Sequence, residues 1–482
     1  MQLSNVLHGL DYKIKQGDLN ISIDEIIYDS RIKTNEGLFV AIKGFSSDGH
    51  KYISSAISNG AKVVVIQDDV EVEGDVTVIK VDDTRYTIAI LARNFYNNPS
   101  QSFNLVGVTG TNGKTSTTFL LGQMLEAHKQ KVGIIGTIEN RIGDKVLPTE
   151  RTTPESLDLQ KLFAQMNDEN VDSVVMEVSS HALDLHRVTG CQFDFGIFTN
   201  LTQDHLDFHK DMESYAHAKA KLFGMSKVSI INKDADFSEL MSQSASGDLI
   251  TYAIDQEADY QAINLDIQAT GVNYTLLYNG NSYDVAVPIS GKFTVYNTLG
   301  AIVVAHKMGL DLEEIIQTLA TVKGVPGRIQ SFNSKNGYSV IVDYAHTPDG
   351  LENVLGAIEQ FVKGKIITVF GCGGDRDNKK RPLMGAVVAK NSDYTIITSD
   401  NPRSEEPESI IDQIEVGVKE HTQTYIRQSD RKKAIHQAME MAKEGDVVLV
   451  AGKGHETYQH LKDGIIHFDD SEVVKEFLEG EL

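Results

Sequence analysis

Short apolar runs alternate along this chain with segments of helical periodicity, which predicts repeated strand–helix units. Segments 36–44 and 61–69 have the character of buried strands, and a helix is predicted between them at about 52–59. An amphipathic helix pattern begins near Asp83 and ends at Asn97, Asn98 and Pro99, residues that stop helices. The first hundred residues are therefore predicted to form a small α/β unit.

The middle of the chain continues the strand–helix alternation, with apolar strands in VGIIGTI, SVVMEVSS, FGIFTNL and KVSIIN. Alternation of this kind predicts a doubly wound, mostly parallel sheet. The pattern changes at about 249–290, where LITYAI, QAINLDIQA, YTLLYNG and YDVAVPI alternate with turn residues and predict an antiparallel patch. A helix is predicted to follow, from about Tyr296 to Met308.

A third unit is predicted after the turn-forming cluster of Gly324, Pro326 and Gly327. Four strands, in YSVIVDYAH, KIITVFGCGG, DYTIITSDNP and DVVLVAGKGHE, each run into a loop rich in glycine, proline or charge. Parallel strands present their ligand-binding loops at their carboxyl ends, so this unit is predicted to be Rossmann-like. We therefore expect a three-domain α/β protein with domains at 1–99, 100–325 and 326–482.

Composition and charge narrow the possible functions. The 482 residues include 45 Lys plus Arg and 68 Asp plus Glu, giving a formal net charge of −23, which is unfavourable for nucleic-acid binding. A local cationic pocket for small anions remains compatible with that charge. The two cysteines, Cys191 and Cys372, fit a reducing compartment. No signal-peptide or membrane-spanning pattern is found, so we expect a cytoplasmic protein.

The most specific motif is a glycine-rich loop, Thr109–Thr115 (TGTNGKT), that follows a strand and opens a helix. Such a loop presents backbone N–H groups and a helix N-terminus to phosphate oxygens. Lys114 would reach the β- and γ-phosphates, and the Thr115 hydroxyl would bind Mg²⁺. The general phosphate-loop pattern has a glycine where this chain has Val108. The alternative interpretation, a glycine-rich turn that binds no nucleotide, is therefore not excluded by the sequence.

Two further positions in the middle domain have the chemistry of metal ligands. Glu177 and His205 lie at or beyond the ends of predicted strands, where a carboxylate and an imidazole would hold a divalent ion. On spacing alone, Glu177 and His205 are equally well explained as ordinary polar residues at strand ends that bind no metal. For the nearby His181, His186 and His209, this explanation without a metal is favoured. The local sequence of Lys219 indicates only a surface lysine.

The four loops of the third domain carry charges suited to a zwitterionic ligand. Arg376 and Arg403 offer paired donors to a carboxylate, whereas Asp400 and Glu456 would accept from an ammonium group. For each residue alone, a solvated charge explains the sequence equally well. Because four such loops follow four predicted parallel strands, an amino-acid site is favoured.

The ordered motifs together resemble those of the Mur ligases, the ATP-dependent amide-forming enzymes of peptidoglycan synthesis. The motifs are TGTNGKT (109–115), TTPE (152–155), MEVSSHAL (176–183), FTNLTQDHLDFH (198–209), VDYAHTPD (342–349), FGCGGDRD (370–377), DNPR (400–403) and AGKGHE (451–456). The resemblance covers essentially the whole chain. Within the family it is strongest to the form that adds meso-diaminopimelate to the D-glutamate of UDP-N-acetylmuramoyl-L-Ala-D-Glu. The phosphate loop without a glycine at Val108 is also expected in this family.

The resemblance implies a role for each motif. The UDP-sugar substrate would contact Tyr28, Ser30, Phe45, Ser46, Ser47, Thr152, Thr153, Ser179 and Arg187. ATP would contact Gly110, Thr111, Asn112, Gly113, Lys114, Thr115, Ser116, Asn297, Arg328, Asp343 and His346. The amino acid would contact Arg376, Asp400, Asn401, Pro402, Arg403, Gly452 and Glu456. Lys114, Lys219, His205 and Glu177 would be catalytic, and Mg²⁺ would be held by Thr115, Glu177, His205 and Lys219 as a carbamate.

The activity implied by the resemblance is amide formation through an acyl phosphate, by a monomer without nucleic-acid partners or membrane insertion. An L-lysine-adding form of the same ligase and a ligase similar to folylpolyglutamate synthetase stay open as alternatives. A nucleotide-binding regulatory protein without catalysis is a third alternative. Two positions depart from some relatives, Arg151 in place of an asparagine and Leu185 in place of a glutamine, and both concern the muramoyl pocket.

Overall fold

The computed structural model describes residues 1–44, 47–149, 151–206, 208–268, 270–325 and 327–480. The chain separates into two compact units, Met1–Tyr252 and Ala253–Leu482, each of which is mixed α/β as the sequence predicts. Within the described ranges, no helix combines the length and the apolar character needed to span a bilayer.

Unit 1 opens with a five-stranded sheet in the order β1-β5-β4-β3-β2. Its strands are β1 (Lys13–Gln16), β2 (Glu25–Ile27), β3 (Gly37–Val40), β4 (Ala61–Ile66) and β5 (Thr77–Lys80), and its helices are α1 (Leu3–Val6), α2 (Ile53–Ser58) and α3 (Thr84–Phe95). β2 to β5 are parallel and β1 is antiparallel to β5. Val63 and Val65 pack into one core cluster, whereas Val64 and Ile66 pack into another. Both faces of the sheet are therefore covered, which explains the continuous apolar run of β4.

The larger sheet of unit 1 has the order β13-β12-β11-β6-β10-β7-β8-β9. Its strands are β6 (Asn104–Thr109), β7 (Val132–Ile135), β8 (Asn140–Ile142), β9 (Lys145–Leu147), β10 (Ser173–Glu177), β11 (Phe193–Phe198), β12 (Ser226–Asn232) and β13 (Asp248–Ala253), and its helices are α4 (Lys114–Ala127), α5 (Ser156–Asp168), α6 (Ser180–Asp184), α7 (Met212–Gly224) and α8 (Ser238–Gln243). β13 to β7 in this order are parallel, and β8 and β9 add an antiparallel edge. From β6 the chain continues to β7 and β10, which lie on one side of β6 in the sheet, and then crosses to β11 on the other side of β6. The carboxyl ends of β6 and β11 thus form a topological switch point, where parallel sheets bind ligands.

Unit 2 begins with an antiparallel meander, as predicted for this stretch. It consists of β14 (Tyr260–Gln268), β15 (Gly271–Tyr278) and β16 (Asn281–Val287), against which α9 (Lys292–Lys307) and α10 (Leu312–Leu319) pack. LITYAI, which is predicted to belong to the antiparallel patch, forms β13, and β13 pairs in parallel with β12. Apolar alternation marks a strand but does not encode its direction. The helix predicted at 296–308 begins four residues earlier, directly after Gly291, whose φ is 99°.

The rest of unit 2 is a six-stranded sheet in the order β17-β18-β22-β19-β20-β21. The strands of this sheet are β17 (Gln330–Asn333), β18 (Ser339–Asp343), β19 (Ile366–Phe370), β20 (Tyr394–Ile397), β21 (Tyr425–Arg427) and β22 (Val447–Ala451). A separate hairpin consists of β23 (Tyr458–Leu461) and β24 (Gly464–His467), and the helices are α11 (Pro348–Glu359), α12 (Lys380–Asn391), α13 (Pro407–His421), α14 (Arg431–Met441) and α15 (Asp470–Gly480). All strands of the sheet except β17 are parallel. The four strands with predicted ligand loops are adjacent, so their carboxyl ends share one edge.

Candidate active site

The phosphate loop, residues 109–115, joins β6 to α4 and is held against the loop that follows β11. The N–H of Thr111 donates to the Asn200 carbonyl (3.0 Å), and the N–H of Asn112 donates to the Asn200 side-chain oxygen (2.9 Å). Gly110 has a φ of 151°, and a Cβ there would lie 1.9 Å from the Thr199 hydroxyl oxygen. Only glycine fits this close approach. The first N–H groups of α4 have no acceptor within the helix, so the helix start has the donors and the dipole that suit an anion.

Two lysine side chains converge on this loop. Lys114 Nζ donates to the carbonyl oxygens of Gly110 (2.9 Å) and Thr111 (2.7 Å), and Lys219 Nζ donates to the same Gly110 oxygen (2.8 Å). Lys219 is 1% exposed and its ammonium lies 4.5 Å from the centre of the Tyr215 ring. Burial, and then the charge of Lys114, lower the pKa of Lys219 well below its ordinary value. The surface lysine indicated by the local sequence is therefore wrong.

Glu177, the last residue of β10, is a carboxylate buried to 1% exposure. Its oxygens accept hydrogen bonds from the Thr137 N–H (2.9 Å) and the Thr137 hydroxyl (3.2 Å). Among the described residues, no cationic side chain forms an ion pair with it. A buried anion with only neutral donors is costly, and a bound cation would offset that cost. The site thus fits the metal-binding role suggested by the sequence.

His205 lies in the loop after β11, with a left-handed backbone (φ 54°) and an exposed side chain. Its ring meets that of His181 edge-on at 4.9 Å and lies 6.2 Å from that of Tyr215. Tyr215 also contacts the phosphate loop, since its hydroxyl is 3.2 Å from the Thr111 hydroxyl. The structure thus brings His205, Lys219 and the phosphate loop around Tyr215. Thr115, at the start of α4, is 6% exposed.

The residues expected to hold the muramoyl-dipeptide form a connected network at the end of β10. Thr153 donates through its hydroxyl to the Glu177 carbonyl (2.9 Å) and accepts from the Ser179 N–H (3.2 Å). Arg187 donates to the Thr153 carbonyl (3.2 Å) and pairs with Glu155 (3.0 Å). The Thr152 hydroxyl lies 3.0 Å from that of Thr137. The four predicted residues Thr152, Thr153, Ser179 and Arg187 are therefore brought together beside the candidate metal ligand Glu177.

A cleft of about 950 Å³ in unit 1 leads away from this network. Its lining includes Tyr28, Ser30, Ser47, Arg151 and Leu185. Three predicted UDP-sugar residues thus share one cleft with the two positions that depart from some relatives. Phe45 and Ser46, also predicted here, lie outside the described residues.

Sequence reasoning missed two acidic residues of this cleft. Asp158 accepts a hydrogen bond from the Tyr28 hydroxyl (2.6 Å), and burial together with this contact raises the pKa of Tyr28. Glu155 is surrounded by Arg85 (3.6 Å), Arg151 (3.8 Å) and Arg187 (3.0 Å). These three guanidinium groups concentrate positive charge around Glu155, whereas the lining of the whole cleft balances Arg31, Arg85 and Arg151 with Asp29, Glu155 and Asp158. Glu155 lies within the quoted motif TTPE, but only the fold shows its arginine partners.

In unit 2, the loops after β18 and before β17 place a cation over an aromatic ring. The Arg328 guanidinium lies 4.7 Å from the centre of the Tyr344 ring, and the His346 ring packs on the same tyrosine at 4.6 Å. Asp343 accepts from the N–H groups of Ile329 and Ala345, both at 2.8 Å, and its burial raises the pKa of its carboxyl. Arg328, Asp343 and His346 are thus brought together, whereas Asn297 is buried within α9.

The predicted amino-acid residues gather at the ends of β19, β20 and β22. Asn401 donates to Glu456 (2.7 Å), and a Cβ on Gly452, whose φ is 118°, would lie 2.6 Å from Asp400 Oδ2. Asp400 accepts from the N–H of Asn401 (2.6 Å). Pro402, which follows in the same loop, is buried. The two carboxylates of Asp400 and Glu456 therefore form one acceptor-rich corner of the site, and the Asn401 amide holds one of them.

The two arginines predicted to bind a carboxylate flank Gly373 in the loop after β19. A Cβ on Gly373 would lie 3.0 Å from Arg403 Nη1 and 3.7 Å from Arg376 Cγ. Arg403 has a φ of 52° and donates from Nη1 to the Gly374 carbonyl (2.7 Å). The acidic run beside it does not compete for this guanidinium, because Glu405 is bound by Arg381 at 2.7 and 2.8 Å.

Three buried cations that support this edge were missed from the sequence. Arg381 and Lys453 hold the loops that carry Glu405 and Glu456. Arg431 forms a fully buried ion pair with Asp470 (2.7 Å) and donates to the carbonyls of Ser399 (3.4 Å) and Ala451 (3.0 Å). Those two carbonyls immediately precede Asp400 and Gly452. The partners of Arg431 are far apart in sequence, so no local pattern reveals them.

Comparison with known proteins assigns the chain to a family. Three family models match in order: the Mur ligase family catalytic domain at residues 22–96, the Mur ligase middle domain at 108–305, and the Mur ligase glutamate ligase domain at 327–454. Proteins named UDP-N-acetylmuramoyl-L-alanyl-D-glutamate–2,6-diaminopimelate ligase from Clostridium acetobutylicum (ligase 1) and Clostridioides difficile are each 49% identical, over 480 and 482 residues, covering 99% of both chains.

Solved structures give the same assignment. A structure of a UDP-N-acetylmuramoyl-L-alanyl-D-glutamate–2,6-diaminopimelate ligase superposes with a TM-score of 0.74 at 31% identity, covering 100% of this chain and 99% of that one. A Mycobacterium tuberculosis folylpolyglutamate synthase gives a TM-score of 0.61 at 18% identity and covers 77% of this chain and 92% of that one, which is a likeness of fold alone. On the matched models and the full-length relatives, the chain belongs to the Mur ligase family.

Proposed function

We propose that this protein is the ATP-dependent ligase that joins meso-diaminopimelate to the D-glutamate γ-carboxylate of UDP-N-acetylmuramoyl-L-Ala-D-Glu, in peptidoglycan synthesis. Relatives with this name match the chain from end to end at 44–49% identity. The observation that carries the choice of co-substrate is the loop edge of unit 2, where carboxylate acceptors lie beside two arginines. An amino acid with both ammonium and carboxylate groups complements that edge.

We infer that the phosphate loop binds ATP, with Lys114 against the transferred phosphoryl group. The oxygens that share charge during phosphoryl transfer require cations fixed in advance, and Lys114 is already oriented by two carbonyl bonds. The roles of Asn297, Arg328, Asp343 and His346 toward the nucleotide stay predictions. ATP and the UDP-sugar are proposed as cytoplasmic substrates of a monomer.

Mg²⁺ is the metal implied by this chemistry, and the residues present fit it. Glu177 supplies a buried carboxylate whose donors among the described residues are neutral, and Thr115 supplies a hydroxyl at the start of α4. Together with His205 they form the oxygen- and nitrogen-donor set that we propose for the ion. The bound ion would neutralise phosphate charge during transfer. The chain's own contribution is to hold these donors on the ends of neighbouring strands.

We propose that Lys219 works as a carbamate. Its amine attacks CO₂, a nitrogen–carbon bond forms and a proton is released, so only the neutral amine reacts. Full burial and the neighbouring Lys114 charge favour that neutral amine by lowering the pKa of Lys219. Once formed, the carbamate anion would attract Lys114, whereas the ammonium repels it. A carboxylate-like group beside the phosphate loop would complete the metal site.

Amide formation would then follow in two steps. The γ-carboxylate of D-glutamate takes the γ-phosphoryl group from ATP and becomes an acyl phosphate, with ADP leaving. The amine of the amino acid attacks the acyl carbon, and phosphate leaves as the amide forms. Thr153, Ser179 and Arg187 would hold the dipeptide, because they form one hydrogen-bonded network next to Glu177. Fixing the reacting groups in this way supplies much of the rate enhancement.

The experiment that tests this function is phosphate release in the presence of ATP, the UDP-muramoyl-dipeptide and a panel of amino acids. We expect release only when both co-substrates are present, with meso-diaminopimelate strongly preferred over L-lysine. Equal use of L-lysine would support the lysine-adding alternative. Turnover with a folate and glutamate instead would support the folylpolyglutamate alternative. Binding of ATP without any release would support a non-catalytic regulator.

A further inference from the structure

Lys453, in the loop between β22 and β23, is a lysine with no exposed surface at all. Its ammonium donates to Glu456 Oε2 (3.1 Å), to Asn401 Oδ1 (3.3 Å) and to the Tyr458 carbonyl oxygen. The same ammonium lies 5.4 Å from the centre of the Tyr458 ring. All three of its donor positions are therefore used inside the protein. A buried ammonium is costly unless it is paired and fully hydrogen-bonded, as it is here.

The position of Lys453 fixes the direction of the Asn401 amide. Asn401 Oδ1 accepts from Lys453 and also from the His460 N–H (2.8 Å). Because two donors face that atom, it must be the amide oxygen, and the amide nitrogen must point the other way. The nitrogen donates to Glu456 Oε2 at 2.7 Å. Lys453 thus orients a donor toward the carboxylate of Glu456.

Glu456 is consequently held by one oxygen only. Its Oε2 accepts from both Asn401 and Lys453, whereas no donor within the described ranges reaches its Oε1. The side chain of Glu456 is 16% exposed, so the second oxygen has access to a ligand. Asp400, 8% exposed, adds another carboxylate to the same corner. Lys453 donates directly to Asn401 and Glu456 in this corner, whereas Arg431 is paired with Asp470 and acts on Asp400 and Glu456 through its charge alone.

We propose that Lys453 is a positioning residue that sets the affinity for the amino-acid co-substrate. It holds Glu456 by Oε2 and balances its charge, so that Oε1 is directed at the ammonium group of the incoming amino acid. The inference rests on the proposed function, because it assumes that Glu456 binds that ammonium. Lys453 itself has no remaining donor for the ligand. Its effect on the reaction is therefore indirect and passes through Glu456.

The first test compares Lys453→Met with Lys462→Met in steady-state phosphate release. Lys462 is a matched control, because it lies on the β23–β24 hairpin but pairs with Glu406 in solvent (66% and 71% exposed). We expect Lys453→Met to raise the KM for the amino acid by about tenfold or more, the usual scale for losing a charged hydrogen bond. The KM for ATP and for the UDP-muramoyl-dipeptide should stay within about twofold, as should every constant of the control.

A double-mutant cycle with Glu456→Gln separates positioning from general damage. If Lys453 acts through Glu456, Lys453→Met should change the amino-acid KM by no more than about twofold when residue 456 is already glutamine. The inference would be overturned if the double variant raised the amino-acid KM by the product of the two single-variant fold-changes. An equal rise in the KM of all three substrates, which is the result expected from a loosened domain, would also overturn it.

Two controls keep the outcome interpretable. Thermal unfolding shows whether Lys453→Met folds; if it does not, Lys453→Gln keeps an amide donor without the charge and should give a smaller rise in the same KM. An unchanged amino-acid KM in the folded variant overturns the inference. Failure of the proposed function is a different result, namely an unmodified protein that releases no phosphate with meso-diaminopimelate.

Discussion

Lys114 and Lys219 donate hydrogen bonds to a single atom, the carbonyl oxygen of Gly110, at 2.9 and 2.8 Å. Two ammonium groups that share one acceptor repel each other, and this repulsion adds to the effect of burial on the pKa of Lys219. Conversion of one of them into an anion would replace repulsion by attraction. This pair therefore provides a physical reason for a carbamate at Lys219.

Lys219→Ala should lower phosphate release by at least about a hundredfold, because it removes a fixed charge beside the transferred phosphoryl group. Lys221→Ala, at a half-exposed lysine of the same helix that pairs with Asp184, should behave as the unmodified enzyme. Added bicarbonate should not restore Lys219→Ala, whereas small carboxylic acids should do so partly. Near-normal activity of Lys219→Ala, or no uptake of labelled carbon dioxide by the unmodified protein, would count against the carbamate.

Lys114→Ala should abolish transfer of the phosphoryl group while the protein still folds, since Lys114 lies at the start of α4 beside a loop. We expect a decrease of at least about a hundredfold in acyl-phosphate formation, with little change in the thermal midpoint. Lys161→Ala, at an exposed position on α5, is the matched control. A normal rate of acyl-phosphate formation by Lys114→Ala would exclude the phosphate-loop assignment.

Arg403→Ala should reduce the preference for meso-diaminopimelate over L-lysine. The two amino acids differ by one distal carboxylate. Within the part of the chain that the structure describes, the Arg403 guanidinium is bound through Nη1 alone, to the Gly374 carbonyl. Losing a charged pair of this kind costs about 2–5 kcal/mol, enough to change the preference by more than tenfold. Incorporation of both amino acids is measured, with Arg427→Ala on the exposed edge strand β21 as the control. A preference that Arg403→Ala leaves intact would assign the selection to another residue.

Arg431→Met should destabilise the protein by about 3–5 kcal/mol, because it leaves Asp470 buried without a counter-charge. The neighbouring Lys432→Met breaks only a surface pair with Glu476 and should cost less than about 1 kcal/mol. The double variant Arg431→Met with Asp470→Leu should recover much of the lost stability. The free energy of unfolding of all three variants is measured with a denaturant. An Arg431→Met variant that is as stable as Lys432→Met would contradict the assignment.

The ion pair of Glu405 with Arg381 should make stability depend on pH in the acid range. Two hydrogen bonds from Arg381, then one from the Asp375 N–H, hold the pKa of Glu405 at about 2, below the unfolded value of 4.5. Because the pKa is lower in the folded state, the pair stabilises the fold above about pH 4.5, and this contribution is lost as the pH falls toward 2. Unfolding at several pH values should show that Glu405→Gln differs most from the unmodified protein above pH 4.5. Glu406→Gln, which alters an exposed pair, should show little difference at any pH. A Glu405→Gln difference that does not shrink with acid would contradict this assignment.

The sequence predicted the elements that carry the site better than the contacts that complete it. The strand ends at Glu177 and Asp343, and the strand end before Asp400, agree with the sequence prediction, because apolar runs and the polar loops after them are local signals. Lys219 was misjudged on local grounds, since its neighbours in α7 do not show that the helix packs against the phosphate loop. The side-chain roles themselves stay predictions.

Lys453 and Arg431 show why the remaining contacts could not be read from the chain. Lys453 is buried because the β23–β24 hairpin folds back over it, and its partner Asn401 is 52 positions away. Arg431 meets Asp470 across 39 positions. Short motifs record which residues stand next to each other, whereas burial and charge pairing depend on elements that meet only in the folded domain.

The close approach of Gly110 to Thr199 also bears on how this enzyme could acquire drug resistance. Every amino-acid replacement reached by one base change in a glycine codon adds a Cβ, and a Cβ here would lie 1.9 Å from the Thr199 hydroxyl oxygen at a φ of 151°. The backbone at this point therefore tolerates no side chain without a shift of Thr199. An inhibitor that takes its hydrogen bonds from that backbone would meet no single-step replacement at Gly110 that keeps the loop intact.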